Sequence, residues 1–451
     1  MPPVKESRFA ADARLEAAFP QVVCWWCQRR RYACAALSVH SFQVAIMSKL
    51  RAVYLQSGGP TAVLNASAQG AIETARRLGL SLYAAFDGLA GLLDGRLCDT
   101  DGVPDTAIAQ LAFMPGGSFG VSRRMIGTFE EAPEDWLRLR DVLARHDIHY
   151  LLINGGNGSL GCAERLVDFE KHTGYKLGVI GVPKTIDNDL MGTDNSPGYG
   201  SSAKFLASAM REVGLDMTSM GWGRVFIMET MGRHTGWLAA ACAAAARAPN
   251  EAPHLLLLPE VPFEPARFLA ALDASLAKYG QCAIAVAEGI TGQDGRFVAE
   301  AKQSETYGHE QLGGAGHWLA QLILRERGIS AHVAQVDYLQ RAGGHLASNT
   351  DVRQAYLMGE RAVEWLLAGK TGLMAGIRRL NDHPYCWDVA EVPLSEVGDK
   401  EKRLPPAFIG ADGFSVTPAF LDYVKPLMEG ERIPPFKDGL PDYRPIAWPK
   451  V

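Results

Sequence analysis

Two turns carry most of the chemistry that residue type and spacing can suggest. The first, Gly155-Gly156-Asn157-Gly158-Ser159, follows the apolar run at 148–154 and precedes a helical pattern. Bare backbone amides at a helix start favour an anion such as a phosphate. The second, Lys184-Thr185-Ile186-Asp187-Asn188-Asp189, follows the apolar run at 177–183 and puts one cation and two carboxylates within six residues. One carboxylate can take a proton from a substrate hydroxyl while the other helps hold Mg²⁺ or its waters. Lys184 can neutralise charge on a departing phosphate. Side by side in a parallel sheet, the two turns hold a phosphate, a metal and a general base. That is equipment for phosphoryl transfer.

The elements that must position these turns are legible from the alternation of β-type runs with amphipathic patterns. Strands are expected at 51–56, 81–86, 148–154, 177–183, 223–229, 254–259, 282–288 and 333–338. Helices are expected near 62–78, 134–146, 160–172, 200–214, 236–248, 264–279, 310–327 and 350–368. The pattern means βαβ units, parallel sheets and right-handed crossovers. Ligands then sit beyond the carboxyl ends of the strands, where the motifs fall.

Other strand ends carry special residues too. Gln56-Ser57-Gly58-Gly59-Pro60-Thr61 lets backbone approach a ligand closely, or is simply a tight turn. After 223–229 come Met231-Gly232-Arg233-His234, where Arg224 and Arg233 could each grip a phosphate or hydroxyl bidentately. His234 reads as a structural, hydrogen-bonding histidine. Glu288-Gly289 and Tyr338-Leu339-Gln340-Arg341 end two further strands.

Two motifs point elsewhere and are weak. Gly156-x-Gly158-x-x-Gly161 matches a dinucleotide fingerprint, the rival reading being an NAD-binding oxidoreductase. The next strand should then end in a ribose-binding acid, yet it ends in Pro183-Lys184. Gly369-Lys370-Thr371 resembles the end of a Walker A loop, but position 364 is Glu where the first glycine belongs.

Composition narrows the class. The chain has 451 residues, 47% apolar and 21% charged, with a net charge of −5. It is long enough for two domains. No basic stripe alternates with aromatics, which argues against nucleic acid as the main partner. No apolar run reaches the roughly 18–20 residues needed to span a membrane. Eight scattered cysteines suggest reduced thiols and a cytoplasmic setting. Residues 1–46 differ from the rest, with Cys24-Trp-Trp-Cys27, Arg29-Arg30-Arg31 and Cys34. No second cysteine or histidine pair completes a metal site. This segment is set aside as an atypical extension, either a disordered tail or a start placed too early.

These motifs, in this order, resemble the phosphofructokinase superfamily across about 50–440. The landmarks are Ser57-Gly-Gly, Pro115-Gly-Gly-Ser-Phe-Gly-Val-Ser-Arg123, Gly155 to Ser159, Pro183 to Asp189, Met231-Gly-Arg-His-Thr-Gly-Trp237 and Tyr338 to Arg341. Tyr307 to Gly314 and His345-Leu-Ala-Ser-Asn-Thr350 look most like the bacterial pyrophosphate-dependent branch.

The resemblance implies an α/β fold of two Rossmann-like, three-layer α/β/α domains. A phosphoryl-donor domain would take 47–197 with part of 339–400, and a fructose-6-phosphate domain 198–338. Residues 401–451 would form a C-terminal surface tail. It implies Mg²⁺-dependent phosphorylation of fructose 6-phosphate to fructose 1,6-bisphosphate in glycolysis, reversible with pyrophosphate. Asp187 would be the base for the 1-hydroxyl, with Lys184 and Gly158 beside it and Thr185 and Ile186 lining the sugar site. Gly58 and Arg123 would meet the donor. Met231, Gly232, Arg233, Glu288, Tyr338, Leu339, Gln340 and Arg341 would bind sugar phosphate. Arg224 looks like the residue that reaches a neighbouring subunit's substrate, implying a homodimer or higher homo-oligomer. Asn157 stands where many relatives carry a magnesium-associated Asp. Gly158 is typical of ATP users, where pyrophosphate users usually have Asp. Lys184 points to pyrophosphate, though some ATP-dependent relatives combine Gly with Lys. Lys184 and overall likeness favour pyrophosphate, and ATP is the alternative.

Overall fold

The computed structural model describes residues 50–221, 223–299 and 313–451. The Cys24–Cys27 pair, the rest of 1–46 and most of the Tyr307–Gly314 landmark lie outside the described residues.

Strands form where the apolar runs are, and they sort into two sheets. β1 (Arg51–Gln56), β2 (Ser81–Ala85), β4 (Tyr150–Gly155) and β5 (Gly178–Pro183) are parallel, with β3 (Leu97–Asp99) antiparallel to β2. β10 (Leu373–Asp382) joins β5 in parallel and turns back into β11 (Tyr385–Pro393), so the order is β11-β10-β5-β4-β1-β2-β3. β6 (Arg224–Thr230), β7 (Leu255–Leu257), β8 (Gln281–Ala287) and β9 (Ala331–Gln335) make a wholly parallel sheet in the order β7-β8-β6-β9. The central strands are buried along nearly their whole length, as parallel strands covered on both faces must be.

Helices occupy the intervening stretches and stop for local reasons. Pro133 and Pro265 open two of them, where a missing N–H costs nothing. Gly79, Gly280 and Gly328 close three in the left-handed conformation. The Ala-rich helix is shorter than expected: it spans Trp237–Ala241, then tightens into a 3₁₀ turn at Cys242–Ala245. The chain turns extended at Ala246, short of Pro249.

Strand β9 begins and ends earlier than the apolar pattern indicates, because Asp337 adopts a left-handed conformation and Tyr338 caps a short helix at Leu339–Ala342. The stretch 401–451 is no mere surface tail. Leu404, Phe420, Tyr423, Val424 and Leu427 are buried in the core beside β6 and β8, with Trp237 and Tyr199. Fully burying side chains of this size contributes roughly 1.5–3 kcal/mol each. Asp99 N donates to Pro449 O (3.0 Å) and Val451 N to Leu97 O (3.1 Å), so the last residues cover the exposed edge of β3.

Candidate active site

β1 and β4 are neighbours that cross over to opposite sides of the sheet, which opens a crevice at their carboxyl ends. Ser57 N donates to Asn154 O (2.9 Å), and Gly58 N to Ser122 O (3.1 Å). Ser159 Oγ donates to Ser57 Oγ (2.9 Å), joining the loop after β1 to the helix Asn157–Arg165 after β4. Gly58 has φ +73°, a conformation that suits glycine. A Cβ on Gly59 would lie 2.7 Å from Arg341 Nη1, so the Arg341 guanidinium packs directly on this loop.

Lys184 is buried against this loop. Its ammonium donates to Ser57 O (2.9 Å) and Gly59 O (2.6 Å). Burial, then the nearby Arg341 charge, pushes its pKa down to about 8, and Arg123 adds a smaller push in the same direction. The lysine thus braces the glycine loop while holding positive charge behind it. Arg123 itself is exposed, next to the Ser122 carbonyl that fixes Gly58.

The residues after β5 form a tight, non-regular loop. Thr185 N donates to Pro197 O (3.2 Å), Asp187 N donates to Thr185 Oγ1 (3.1 Å), and Asn188 adopts φ +55°. Ile186 points into the core with Tyr199 and Trp237, anchoring the loop rather than lining an open site. The Asp187 carboxyl is held well above the ordinary carboxylate range by burial, then by the Asp189 and Glu288 charges, with Lys184 opposing them. Burial raises Asp189 as well.

Asp189 Oδ2 accepts a hydrogen bond from Asn157 Nδ2 (2.9 Å). Asp189 Oδ1 and Asn157 Oδ1 are buried and have no hydrogen-bond partner. Two orphaned oxygens from two strand ends are suitable ligands for a hard cation. Among the described residues no three His, Cys, Asp or Glu side chains form a cage. Mg²⁺ needs none: it binds one or two protein oxygens together with phosphate oxygens and waters.

The second sheet contributes the facing wall. Met231 N donates to Gln340 Oε1 (3.3 Å) and Gly232 N to Glu288 Oε1 (3.4 Å). Thr235 Oγ1 donates to Asp187 O (3.3 Å), tying this wall to the acid/base loop. Burial raises the pKa of Glu288, and the Arg233 charge opposes that rise. The Arg341 guanidinium lies 3.8 Å from the ring centre of Tyr338. Tyr338 and Leu339 are 58% and 66% exposed, whereas Gln340 is buried. His234 Nδ1 meets Glu401 Oε1 at 2.8 Å, which matches its structural reading.

Residues 57–59, 184–189, 231–235, 288 and 340–341 therefore meet in one place. Gly158 lies in the first turn of the helix Asn157–Arg165, where a Cβ would sit 3.2 Å from Met125 Cε. Arg224 does not join this group. It begins β6, about 20 Å from the strand's carboxyl end at roughly 3.3 Å per residue.

Sequence reasoning missed several supports. Asp351 is buried and accepts from Gly198 N and Ser201 N (both 2.9 Å), fixing the far end of the acid/base loop at the start of the helix Tyr199–Ser219. Burial pushes its pKa up to about 6. No local motif marks such a residue, because its partners lie some 150 positions away.

The competing motifs have structural explanations. A Cβ on Gly161 would lie 2.8 Å from Asp399 Oδ1, so this glycine of the dinucleotide-like pattern serves packing. Gly369 follows the helix Asn349–Leu367 at φ +77°, and Lys370 pairs with Glu391.

The family model "Phosphofructokinase" matches residues 51–366. The chain belongs to the phosphofructokinase family. It is 44% identical over 411 residues to a pyrophosphate–fructose 6-phosphate 1-phosphotransferase from Halomonas elongata, covering 90% of this chain and 98% of that one. A relative of the same name from Methylococcus capsulatus is 44% identical over 403 residues, covering 88% and 96%. Among solved structures, a pyrophosphate-dependent phosphofructokinase from Nitrosospira multiformis matches with TM-score 0.82 and 40% identity, covering 90% of this chain and 98% of that one. The phosphofructokinase likeness seen in the motifs thus extends over the whole two-sheet fold.

Proposed function

We propose that this phosphofructokinase transfers a phosphoryl group from pyrophosphate to the 1-hydroxyl of fructose 6-phosphate, giving fructose 1,6-bisphosphate and phosphate. The observation that carries the reading is the position of Asp187. It stands between the braced glycine loop (Ser57–Gly59 on Lys184) and the wall of Gly232, Glu288 and Arg341. Asp187 accepts the proton of the 1-hydroxyl as that oxygen attacks phosphorus. The bridging P–O bond breaks, and orthophosphate leaves with the electron pair. Lys184, Arg123 and the amides of the Asn157–Ser159 turn oppose the charge on the donor, while Gly58, whose own N–H is taken by Ser122 O, lets the donor come close to the loop. Asp189 and Asn157 would hold Mg²⁺, which neutralises donor charge and orients the phosphates. Arg341, Arg233, Met231, Gly232, Glu288 and the Tyr338–Gln340 turn would bind the sugar phosphate, with Thr185 beside them and Ile186 anchoring the loop in the core from beneath.

Pyrophosphate as donor is supported by the names of relatives at 44% identity that span nearly the whole chain, and by the buried Lys184. Gly158 is the observation favouring ATP, since no carboxylate occupies that position. Arg224, at the amino-terminal end of β6 and so away from the site, fits a role at a neighbouring subunit's site in a homodimer or larger homo-oligomer. An aldolase-coupled assay with fructose 6-phosphate and Mg²⁺, run with pyrophosphate and with ATP, tests the function. Turnover with pyrophosphate well above that with ATP is expected, and the reverse order would transfer the proposal to ATP. Light scattering tests the assembly, with a monomer contradicting the Arg224 role.

A further inference from the structure

The stretch 401–428 makes contacts that the proposed chemistry has not used. Lys402 N donates to Asp189 O (2.7 Å), and Glu401 bridges Leu190 in β geometry. On its other side, Trp237 Nε1 donates to Lys402 O (3.0 Å), and Leu404 N donates to Glu260 Oε1 (3.0 Å). The backbone of 401–404 is therefore pinned between the acid/base loop and the start of the helix at Trp237.

The Lys402 side chain runs inward. Its ammonium donates to Thr193 O (2.9 Å) and Asp194 O (2.8 Å), and lies 5.3 Å from the centre of the Trp237 ring. One residue thus holds the loop at Asp189 with its backbone and at 193–194 with its side chain. Tyr423, from the helix Pro418–Val424, makes a second crossing. Its hydroxyl donates to Asp194 O and accepts from Asn188 Nδ2, both at 2.8 Å. Asn188 is the left-handed residue between Asp187 and Asp189, and its Oδ1 accepts from Ser196 N (2.9 Å). Arg379 completes the frame, with Nε on the Asp194 carboxylate (3.0 and 3.1 Å) and Nη2 on Tyr423 O (3.0 Å).

Burying an ammonium on carbonyl oxygens is costly compared with leaving it in water, and a surface tail would have no use for it. The cost is offset where the same contacts fix a strained backbone segment that must present two carboxylates at a set spacing. We propose that residues 401–428 form a clasp on the acid/base loop, in which Lys402 and Tyr423 are positioning residues that hold Asp187 and Asp189 at their working separation from Lys184. The role of the clasp in turnover rests on the function proposed above. Its mechanical part, the holding of the loop, does not.

The experiment uses the full chain and three proteins: wild type, Tyr423→Phe and Lys402→Met. Hydrogen–deuterium exchange of residues 188–196 is measured beside steady-state kinetics with pyrophosphate, fructose 6-phosphate and Mg²⁺. Tyr423→Phe deletes one oxygen from a packed ring, so it keeps the test available if Lys402→Met does not fold. Each variant loses two such bonds, which should speed exchange of this segment by about tenfold or more and leave the rest of the protein unchanged. kcat should fall by about tenfold, with KM for fructose 6-phosphate within about twofold and a higher Mg²⁺ concentration needed for half-maximal rate. Unchanged exchange in the variants would overturn the clasp. Faster exchange with wild-type kcat would overturn its role in turnover. Absence of any wild-type turnover would count against the proposed function instead, while the exchange data would still decide whether the clasp holds the loop.

Discussion

The loops at the ends of β1, β4 and β5 differ from those at the ends of β6, β8 and β9. On the first side the polar groups bind one another: Lys184 on two carbonyls, Ser159 on Ser57, Gly58 on Ser122, Asn157 on Asp189. On the second side the Met231 and Gly232 amides make longer hydrogen bonds, at 3.3 and 3.4 Å, and Tyr338 and Leu339 stand in solvent. A site of pre-placed charges suits a small, highly charged donor whose transition state needs fixed dipoles. A more open wall suits an acceptor that must enter, be oriented and leave. The expected division of labour follows: changes on the first side lower kcat, and changes on the second side raise KM.

The largest effect should come from Asp187→Asn, which keeps shape but cannot accept the proton. A loss of about 10²–10⁴ in kcat is expected, with fructose 6-phosphate binding by calorimetry largely retained. Lys184→Met comes next. It removes the brace of the glycine loop, and about a 10²-fold loss of kcat is expected, with KM for the sugar phosphate changed far less. Arg341→Ala should break the comparison from the other side, since Arg341 touches both walls. If its main role is on the acceptor, KM for fructose 6-phosphate rises by about tenfold or more with little change in kcat.

The pH profile sharpens the same contrast. Asp187 must be ionised to act as base, and burial with neighbouring carboxylates raises its pKa. kcat/KM should therefore rise with pH at a midpoint above the ordinary carboxylate value of about 4. Lys184 must be protonated, and burial pushes it down to about 8, so activity should fall as pH rises through that region. A profile flat from pH 5 to 9 would contradict both assignments. The smallest expected effect is that of Gly158→Asp. The new side chain meets the flexible end of Met125, so pyrophosphate turnover should stay within about threefold while any ATP turnover disappears.

The sheets were largely legible because parallel strands buried on both faces leave continuous apolar runs, as at Leu151–Ile153 and Leu255–Leu257. The hairpin β10–β11 was not legible. No strand is expected over 373–393, where Arg378, Asn381, Asp382 and Asp388 interrupt any apolar run, yet Arg378 pairs with Asp388 directly across the ladder. The site was legible where chemistry sits in one short turn, as at Lys184–Asp189. What holds that turn was not, because Asp351, Lys402 and Tyr423 reach it from 150 or more positions away and look unremarkable alone. The tail appeared superficial for the same reason: prolines and charges dominate 401–451, while a few spaced apolar residues do the packing.

The central claim is that Asp187, between a rigid donor side and an open acceptor side, takes the proton during transfer from pyrophosphate. The most direct measurement is ³¹P NMR of wild type and Asp187→Asn, each with fructose 6-phosphate, pyrophosphate and Mg²⁺. Wild type should convert pyrophosphate into orthophosphate and a new sugar 1-phosphate ester in equal amounts, while the variant binds the sugar phosphate and leaves both signals unchanged. Ester formation by the variant at a rate near wild type would contradict the account.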